Sequence, residues 1–168
     1  MVESLALDLV DKGLVTNQVV LTVGYDIENL TDPERKKKYH GEITTDVYGR
    51  KIPKHAHGTA NIGKYTSSAK LMMDAVLELY DSIMNRDLLI RRLNMAATHV
   101  IDEKEADESY EQISLFDIMA SDEKKVEDEK LQKERKLQEA MLDIKKKFGK
   151  NAILKGTNLE EGATAMER

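Results

Sequence analysis

The stretch Gln18-Val19-Val20-Leu21-Thr22-Val23-Gly24-Tyr25-Asp26-Ile27 decides the fold, because its side chains follow a period of two. Successive side chains of a β-strand point to opposite faces of the sheet. One face therefore collects large apolar groups and the other is mostly polar, which predicts a half-buried strand over residues 18–27. The buried face is predicted to hold Val19, Leu21, Val23 and Tyr25, and the open face Gln18, Val20, Thr22 and Asp26.

Two amphipathic helices are predicted to cover the apolar face of this strand. The first spans residues 2–12, where Val2, Leu5, Ala6, Leu9 and Val10 recur at helical spacing and Gly13 provides a stop. The second spans about residues 68–85, preceded by the N-capping candidates Thr66-Ser67-Ser68. Its apolar face carries Leu71, Met72, Ala75, Val76, Leu79 and Ile83.

Two further strands complete the predicted sheet. Residues 55–63 alternate small inward side chains with polar outward ones, and residues 88–101 alternate larger apolar inward side chains with an outward set that is mostly polar. The outward sets are His55, His57, Thr59 and Asn61 on the first of these strands, and Arg92, Asn94, Ala96 and Thr98 on the second. The inward sets are Ala56, Gly58, Ala60 and Ile62 on the first, and Leu93, Met95 and Ala97 on the second.

The element order predicts an α+β domain with two helices packed on one face of an antiparallel or mixed β-sheet. Residues 28–38 contain an Asp32-Pro33 turn signal and a basic run, and are predicted to form a solvated loop. Residues 43–47 and 50–53 flank Tyr48-Gly49 and predict a hairpin-like excursion. A sheet of three main strands has open edges, so we expect self-association through an edge.

Composition separates the rest of the chain from this domain. The 168 residues carry a formal net charge of -5, with 40% hydrophobic and 5% aromatic residues and no cysteine. Disulfides and thiolate-bound zinc are therefore excluded. We expect a cytoplasmic protein that does not enter a membrane, because neither a signal peptide nor a membrane-spanning apolar run is present. Residues 122–148 predict a long charged helix, solvated or bound to a partner, and residues 149–168 a flexible tail.

No catalytic site is visible in the sequence. Residues 149–157 lack the glycine spacing and the strand–loop–helix setting of a phosphate-binding loop. His55 and His57 share one strand face, which leaves a metal-dependent enzyme open as an alternative, although no carboxylate partners lie nearby. We therefore assign neither catalytic nor metal-binding residues.

Binding to nucleic acid is better supported by the outward sheet face. Its hydroxyl, amide and imidazole groups suit contacts to a phosphate backbone, and cations at its rim supply attraction that salt weakens. The rim cations are Lys54, Lys64 and Arg91. An ordinary open sheet face is also polar, so this interpretation is weighed against a purely structural one.

A short peptide follows the domain, Gln112-Ile113-Ser114-Leu115-Phe116. The leucine and phenylalanine can fill an apolar groove while the glutamine amide donates and accepts hydrogen bonds. The pattern resembles the sliding-clamp-binding motif of bacterial DNA polymerases and repair proteins. The alternative is a short amphipathic turn that packs on its own domain.

These features in this order resemble the little-finger domain of Y-family translesion DNA polymerases. The resemblance covers residues 1–117 and rests on residues 5–25, the helix 68–85 and the stretch Leu89-Ile90-Arg91-Arg92-Leu93-Asn94-Met95. Tyr48-Gly49-Arg50, Pro53-Lys54 and His57-Gly58-Thr59 look most like the UmuC/ImpB/MucB-type branch, whose members act in the SOS response to DNA damage.

The resemblance implies a four-stranded sheet that grips template-primer duplex beside a polymerase core. The first strand would precede residue 1, and the catalytic domains, which use Mg²⁺, would lie further upstream. Many relatives carry Thr-Arg-Ser where this chain has Ala56-His57-Gly58-Thr59, and more cations where it has Ala96, Ala97 and His99. Both departures weaken the expected grip on phosphates.

The sequence therefore predicts three parts: a DNA-binding domain over residues 1–101, an acidic linker with the clamp-binding peptide over 102–120, and a charged helix with its tail over 121–168. The leading hypothesis is a clamp-tethered accessory domain of a translesion polymerase that carries no catalytic site or cofactor itself. The alternative is a protein–protein adaptor that binds other repair proteins through the charged helix. The residues expected to contact DNA are Lys54, His57, Thr59, Arg91, Arg92 and Asn94.

Overall fold

The computed structural model describes residues 1–106, 122–149, 151–154 and 156, and the side chains of 122–127 are not described. The predicted α+β fold is confirmed, with a three-stranded antiparallel sheet and several helices. Residues 103–106 add a helical turn after the last strand. In chain order the elements are α1 (Val2–Lys12), β1 (Leu14–Tyr25), α2 (Glu28–Thr31), α3 (Pro33–Lys38), β2 (Ile43–Thr45), β3 (Lys51–Pro53), β4 (Ala56–Thr66), α4 (Ala69–Ile83), β5 (Ile90–Asp102) and α5 (Asp122–Phe148).

The sheet has the order β4-β1-β5, so β1, which contains most of the strand predicted over residues 18–27, lies in its centre. Both neighbours run antiparallel to β1. The predicted alternation of β1 is confirmed, since the side chains assigned to its inner face are at most 5% exposed. An antiparallel sheet with one face packed on the core and the other face open gives this alternation. The residues concerned are Val19, Leu21, Val23 and Tyr25.

The core lies between the inner face of the sheet and the helices α1 and α4. Val19 and Met72 are fully buried there, and Ala6 of α1 is buried in the same cluster. The small inward residues of β4 have a packing reason at Gly58. A Cβ atom at Gly58 would lie 2.8 Å from Leu79 Cδ1 and 3.1 Å from Ile83 Cγ2. Glycine therefore lets α4 approach the sheet closely.

The ends of the two core helices follow the capping signals of the sequence. Gly13 ends α1 in the left-handed conformation with φ 64°, and its N–H donates to the carbonyls of Leu9 and Val10. Ser68 is the N-cap of α4, and its side chain accepts a hydrogen bond from the Leu71 N–H. The predicted span 2–12 matches α1, whereas α4 ends two residues before the predicted limit of 85.

The prediction of a solvated loop over residues 28–38 is wrong, because this segment forms α2 and α3. Asn29 is fully buried and Leu30 is 9% exposed, so α2 packs on the domain, whereas α3 has no buried residue. Asp32 and Pro33 serve as the N-cap and first residue of α3, and the Asp32 carboxylate accepts from the Arg35 N–H. An Asp-Pro pair suits a helix start as well as a turn, since proline's fixed φ and missing N–H are tolerated there.

The predicted hairpin-like excursion is confirmed as the pair β2–β3. The Asp46 carboxylate accepts from the N–H groups of Tyr48 and Arg50, and Gly49 adopts a positive φ of 78°. The hairpin packs on α2, and Pro53 is buried. The excursion between β1 and β4 is thus a folded annex (residues 28–54) at one end of the sheet.

Helix α5 has the predicted bounds, yet its middle is docked rather than solvated. The Glu134 carboxylate accepts hydrogen bonds from Ser68 Oγ at 2.6 Å and from the Lys70 N–H at 3.1 Å. Gln138 Nε2 donates to the Ser67 carbonyl, and the Gln138 side chain is buried. Sequence reasoning did not predict this contact, because the residues of α5 that pack on the domain are polar and their pattern is the same as that of a solvent-exposed face.

Three further contacts hold α5, and part of its apolar surface stays exposed. Arg135 donates to Ser67 Oγ and to the Glu103 carboxylate, both at 2.8 Å, and Lys146 pairs with Asp11 of α1. Leu137 is 61% and Phe148 68% exposed. Within the described residues, no helix is both long enough and apolar enough to cross a membrane.

Candidate nucleic-acid interface

The outer face of the sheet, opposite the core, carries polar side chains in rows that cross all three strands. His57, Thr22 and Asn94 are cross-strand neighbours and form one row. Asn61, Gln18 and Thr98 form a second row four residues further along β1. Side chains directly opposite on one sheet face lie close enough to interact. We call this surface, with Thr59 between the two rows, the open sheet face.

Hydrogen bonds organise both rows. Thr22 Oγ1 and His57 Nδ1 are 2.9 Å apart. In the other row Gln18 Nε2 donates to Asn61 Oδ1, while Thr98 Oγ1 donates to Gln18 Oε1, each at 2.8 Å. Gln18 therefore joins the two edge strands through the central one. Sequence reasoning placed Gln18 on the outer side of β1 but did not include it in the binding surface. Its even position in the strand, shared with Thr22, was the signal that could have identified it.

Arg92 supplies a cation beside the His57–Thr22–Asn94 row. It pairs with Gly24 across the strands, and its side chain lies over that glycine. A Cβ atom at Gly24 would stand 2.9 Å from Arg92 Cγ, so glycine makes room for the arginine stem. Within the described residues no carboxylate is paired with Arg92, which leaves its guanidinium open to a ligand.

Arg91 occupies a register shift in β5. The ladder passes from Gly24↔Arg92 to Tyr25↔Ile90, so Arg91 has no opposite residue on β1. A bulge of this kind re-aims the side chain that it inserts. The Arg91 guanidinium pairs with the Asp26 carboxylate at 3.2 Å, and the Arg91 side chain is 65% exposed.

Asp26 holds this corner of the sheet in its ionised form. The pKa of the Asp26 carboxyl lies below its usual value, chiefly because the Glu28 N–H donates to it, with the hydrogen bond and positive charge of Arg91 adding to the effect against partial burial. The sequence predicts Asp26 on the outer face but does not predict its ion pair with Arg91.

Lys54 lies in the annex, directly after β3, and is not a neighbour of the two rows. Its ammonium group pairs with the Glu42 carboxylate. Their mutual hydrogen bond and charge attraction raise the pKa of Lys54 and lower the pKa of Glu42. Of the six residues expected to contact DNA, the structure thus brings His57, Thr59, Asn94 and Arg92 together and adds Arg91 at the corner.

The chemistry of the open sheet face is that of neutral donors and acceptors with few free cations. Hydroxyl, amide and imidazole groups at regular spacing can donate to phosphate oxygens, and Arg92 adds a charged donor. Because this face is nearly uncharged, its attraction for a polyanion depends on cations at its borders.

The two histidines do not form a metal centre with other residues that the structure describes. No group of three or more histidine, cysteine, aspartate or glutamate side chains is close enough to hold a metal ion in that part of the chain. His55 immediately precedes β4, and His57 Nδ1 is engaged by Thr22. The described residues likewise hold no set of carboxylates suited to the Mg²⁺ that the resemblance implies for a parent polymerase.

The clamp-binding residues Gln112, Ile113, Ser114, Leu115 and Phe116 lie outside the described residues. Comparisons with protein-family models, with curated proteins and with solved structures found no match for this chain.

Proposed function

We propose that this chain is a DNA-binding, clamp-tethered accessory part of a translesion DNA polymerase of the Y family. The observation that carries the proposal is the pair of hydrogen-bonded polar rows on a sheet face where His57, Asn61 and Asn94 are exposed. An exposed sheet face with cross-strand polar rows, and with an arginine that pairs with no carboxylate among the described residues, fits a sugar–phosphate backbone.

The proposed mechanism is positional. The open sheet face holds template-primer duplex beside a polymerase core that uses Mg²⁺, and the core lies in another part of the parent protein. Arg92, Asn94 and His57 donate to phosphate oxygens, and Thr59 adds a hydroxyl. These contacts fix orientation without reading sequence, as suits a protein that handles damaged templates.

The peptide Gln112–Phe116 is proposed to tether the polymerase to the sliding clamp. Linking a weak DNA contact to a clamp contact raises the effective concentration of the polymerase at the primer end. This division of labour also explains how a face with few cations suffices, because affinity comes from two sites together. The proposed compartment is the cytoplasm, where bacterial chromosomal DNA resides.

Titration of the whole chain with duplex DNA tests the DNA contact. The variant with Arg91→Ala and Arg92→Ala is expected to bind DNA more weakly than the unsubstituted chain and to show a smaller dependence of affinity on salt. An unchanged salt dependence would contradict the assignment. Circular dichroism before and after substitution verifies that both proteins are folded.

Titration with a bacterial sliding clamp tests the tether. Gln112→Ala with Phe116→Ala removes the proposed anchors and is expected to abolish binding, because a few buried groups carry most of the affinity of such peptides. Ile113→Ala is the milder comparison. Clamp binding that persists in the double variant excludes the peptide as the contact.

A second candidate function is a protein–protein adaptor, in which α5 binds other repair proteins. Leu137 and Phe148 are more than half exposed on α5 and favour this alternative. Leu137→Ser with Phe148→Ser is then expected to abolish partner binding while DNA affinity is retained. Self-association through β5, an edge strand with Leu93 38% exposed, is also proposed, and light scattering over a range of concentrations tests it.

A further inference from the structure

The two rows of the open sheet face differ in their response to protons. The row that contains Gln18 is built from amides and a hydroxyl, which stay uncharged over the pH range in which proteins are folded. The row that contains His57 includes an imidazole, and histidine changes its charge between about pH 5 and 8. One row can therefore take up a proton, whereas the other cannot.

His57 has one ring nitrogen engaged and the other available. The residue is exposed, and its Nδ1 lies 2.9 Å from Thr22 Oγ1. Within the described part of the chain, His57 Nε2 has no hydrogen-bond partner. Nε2 is therefore the ring atom that a ligand on the open sheet face can contact.

Thr22 is a partner that permits His57 to change its protonation state, because a hydroxyl group both donates and accepts. When the imidazole is neutral, the Thr22 hydroxyl can donate to Nδ1, which places the ring proton on Nε2. When the imidazole is protonated, Nδ1 donates to Thr22 Oγ1, and Nε2 carries a proton again. The contact at 2.9 Å is thus compatible with both states, and Nε2 is a donor in both.

The described neighbours of His57 on the open sheet face are neutral or cationic, and none of them is a carboxylate. They are Thr22 on β1, Thr59 on β4, His55 directly before β4, and Asn94 and Arg92 on β5. The next carboxylate along the chain after Thr22 belongs to Asp26, which pairs with Arg91. Helix α4 packs on the opposite face of β4, where Leu79 lies against Gly58. His55 and Arg92 oppose a further positive charge, so protonation of His57 is favoured chiefly by an external anion.

We propose that His57 is a proton-linked contact to a DNA phosphate and that Thr22 is its positioning residue. The inference rests on the proposed function, because duplex DNA on the open sheet face supplies the phosphate. A phosphate oxygen that accepts from Nε2 stabilises the protonated imidazole, so the protein takes up a proton from solvent when it binds DNA. Affinity for DNA is therefore expected to rise as the pH falls through the range in which histidine titrates, at about pH 6.5.

The test measures the affinity of the whole chain for a blunt DNA duplex at about pH 5.5 and at about pH 8, which lie on either side of that range. His57→Gln keeps an N–H donor and removes the group that can be protonated. His40→Gln is the matched control, because it makes the same change in the annex, outside the two rows. Circular dichroism at both pH values verifies that each variant is folded.

The expected result is a gain of about tenfold in DNA affinity at the lower pH, because a charged donor binds phosphate more strongly than a neutral one. The unsubstituted chain and His40→Gln are expected to show this gain, and His57→Gln is expected to lose most of it. The slope of log affinity against log salt is expected to steepen by about 0.9 at the lower pH in the unsubstituted chain, since one more phosphate is neutralised. In His57→Gln the slope is expected to change far less.

Thr22→Ser and Thr22→Val test the positioning role. Serine retains the hydroxyl and is expected to keep the gain at the lower pH. Valine has the shape of threonine without the hydroxyl, so the imidazole is no longer held in the row and the gain is expected to shrink. A purely structural loss would weaken binding equally at both pH values and would leave the gain unchanged.

The outcomes separate the proton-linked contact from DNA binding itself. DNA binding without a gain at the lower pH, or with the full gain retained in His57→Gln, excludes the contact and leaves the proposed function standing. An equal loss of the gain in His57→Gln and His40→Gln indicates an effect of net charge and also excludes it. A full gain in Thr22→Val excludes Thr22 as the positioning residue. If the unsubstituted chain binds the duplex at neither pH, the proposed function fails and the contact fails with it.

Discussion

Arg92 lies over Gly24 on the outer face of the sheet, and the glycine is required by the position of the arginine stem. The neighbouring Arg91 is tied to Asp26 instead. The two consecutive arginines therefore differ in their surroundings: Arg91 pairs with a carboxylate, and Arg92 pairs with none among the residues that the structure describes. This difference leads to separable expectations for the two side chains.

Arg92→Ala is expected to weaken DNA binding more than Arg91→Ala. Loss of a phosphate-contacting cation costs about 1–2 kcal/mol of binding free energy, whereas Arg91 must first give up Asp26. The measurement is the DNA affinity of each single variant at fixed salt. Equal losses for the two variants would show that the ion pair with Asp26 opens when DNA binds.

Asp26→Asn is expected to strengthen DNA binding, because it frees Arg91 and removes a negative charge from the border of the open sheet face. The asparagine side-chain oxygen can still accept from the Glu28 N–H, so the local backbone is expected to hold. Glu28→Gln removes one negative charge nearby without releasing Arg91 and is the matched control. Equal gains from both variants would mean that net charge alone is responsible.

The pH dependence of Asp26 follows from its lowered pKa. The pKa of the Asp26 carboxyl is lower in the folded protein than in the unfolded chain, where it is near 3.8. The ionised carboxylate therefore stabilises the fold at pH values above 3.8, and this stabilisation is lost as the pH falls through the folded-state pKa. Arg91→Ala is expected to raise this pKa only in part, because the Glu28 N–H remains the larger cause. Carboxyl chemical shifts measured by NMR across an acid titration provide the test, and a return to the unperturbed value in Arg91→Ala would contradict it.

Asn29→Ala is expected to lower the free energy of unfolding by about 3 kcal/mol. The substitution removes three hydrogen bonds of a fully buried side chain and takes away the acceptor of the Leu89 N–H, while the Leu89 carbonyl still accepts from the Asp26 N–H. Asn17→Ala is the comparison of choice, because Asn17 Oδ1 is buried without a hydrogen-bond partner among the described residues. Denaturant unfolding of both variants gives the difference, and similar losses would argue against the bridging role of Asn29.

The contact between α5 and the N-terminal end of α4 can be tested by a double-mutant cycle of Ser68→Ala and Glu134→Ala. Ser68 caps α4 and also donates to Glu134, so its loss combines a cap of about 1 kcal/mol with the contact to α5. We expect a coupling free energy of about 1 kcal/mol between the two sites in unfolding experiments. A coupling near zero would indicate that α5 does not rest on Ser68 in solution.

Much of the fold was predictable because local patterns agree with the tertiary structure. The alternation of β1 and the capping residues Gly13 and Ser68 each have a single physical interpretation. The folded structure of the annex was not predictable, because it depends on hydrogen bonds between Asn29 and Leu89, which lie 60 residues apart in the sequence. The alternation of side chains along the strands predicted that His57, Arg92 and Asn94 share one face. The ion pair of Arg91 and the position of Lys54 beside the hairpin could not be predicted, because they depend on strand register and tertiary packing.

The inserted residue at 91 also changes the phase of β5. Ile90 is opposite Tyr25 of the core, while Arg92 is opposite Gly24 on the outer face, although residues two apart in a regular strand share a face. Without Arg91, Ile90 and Arg92 would be adjacent and would still point to opposite faces, as in a regular ladder. The insertion is therefore not what keeps these two side chains on different sides of the sheet. What it adds is one side chain at the sheet corner, and that side chain meets Asp26.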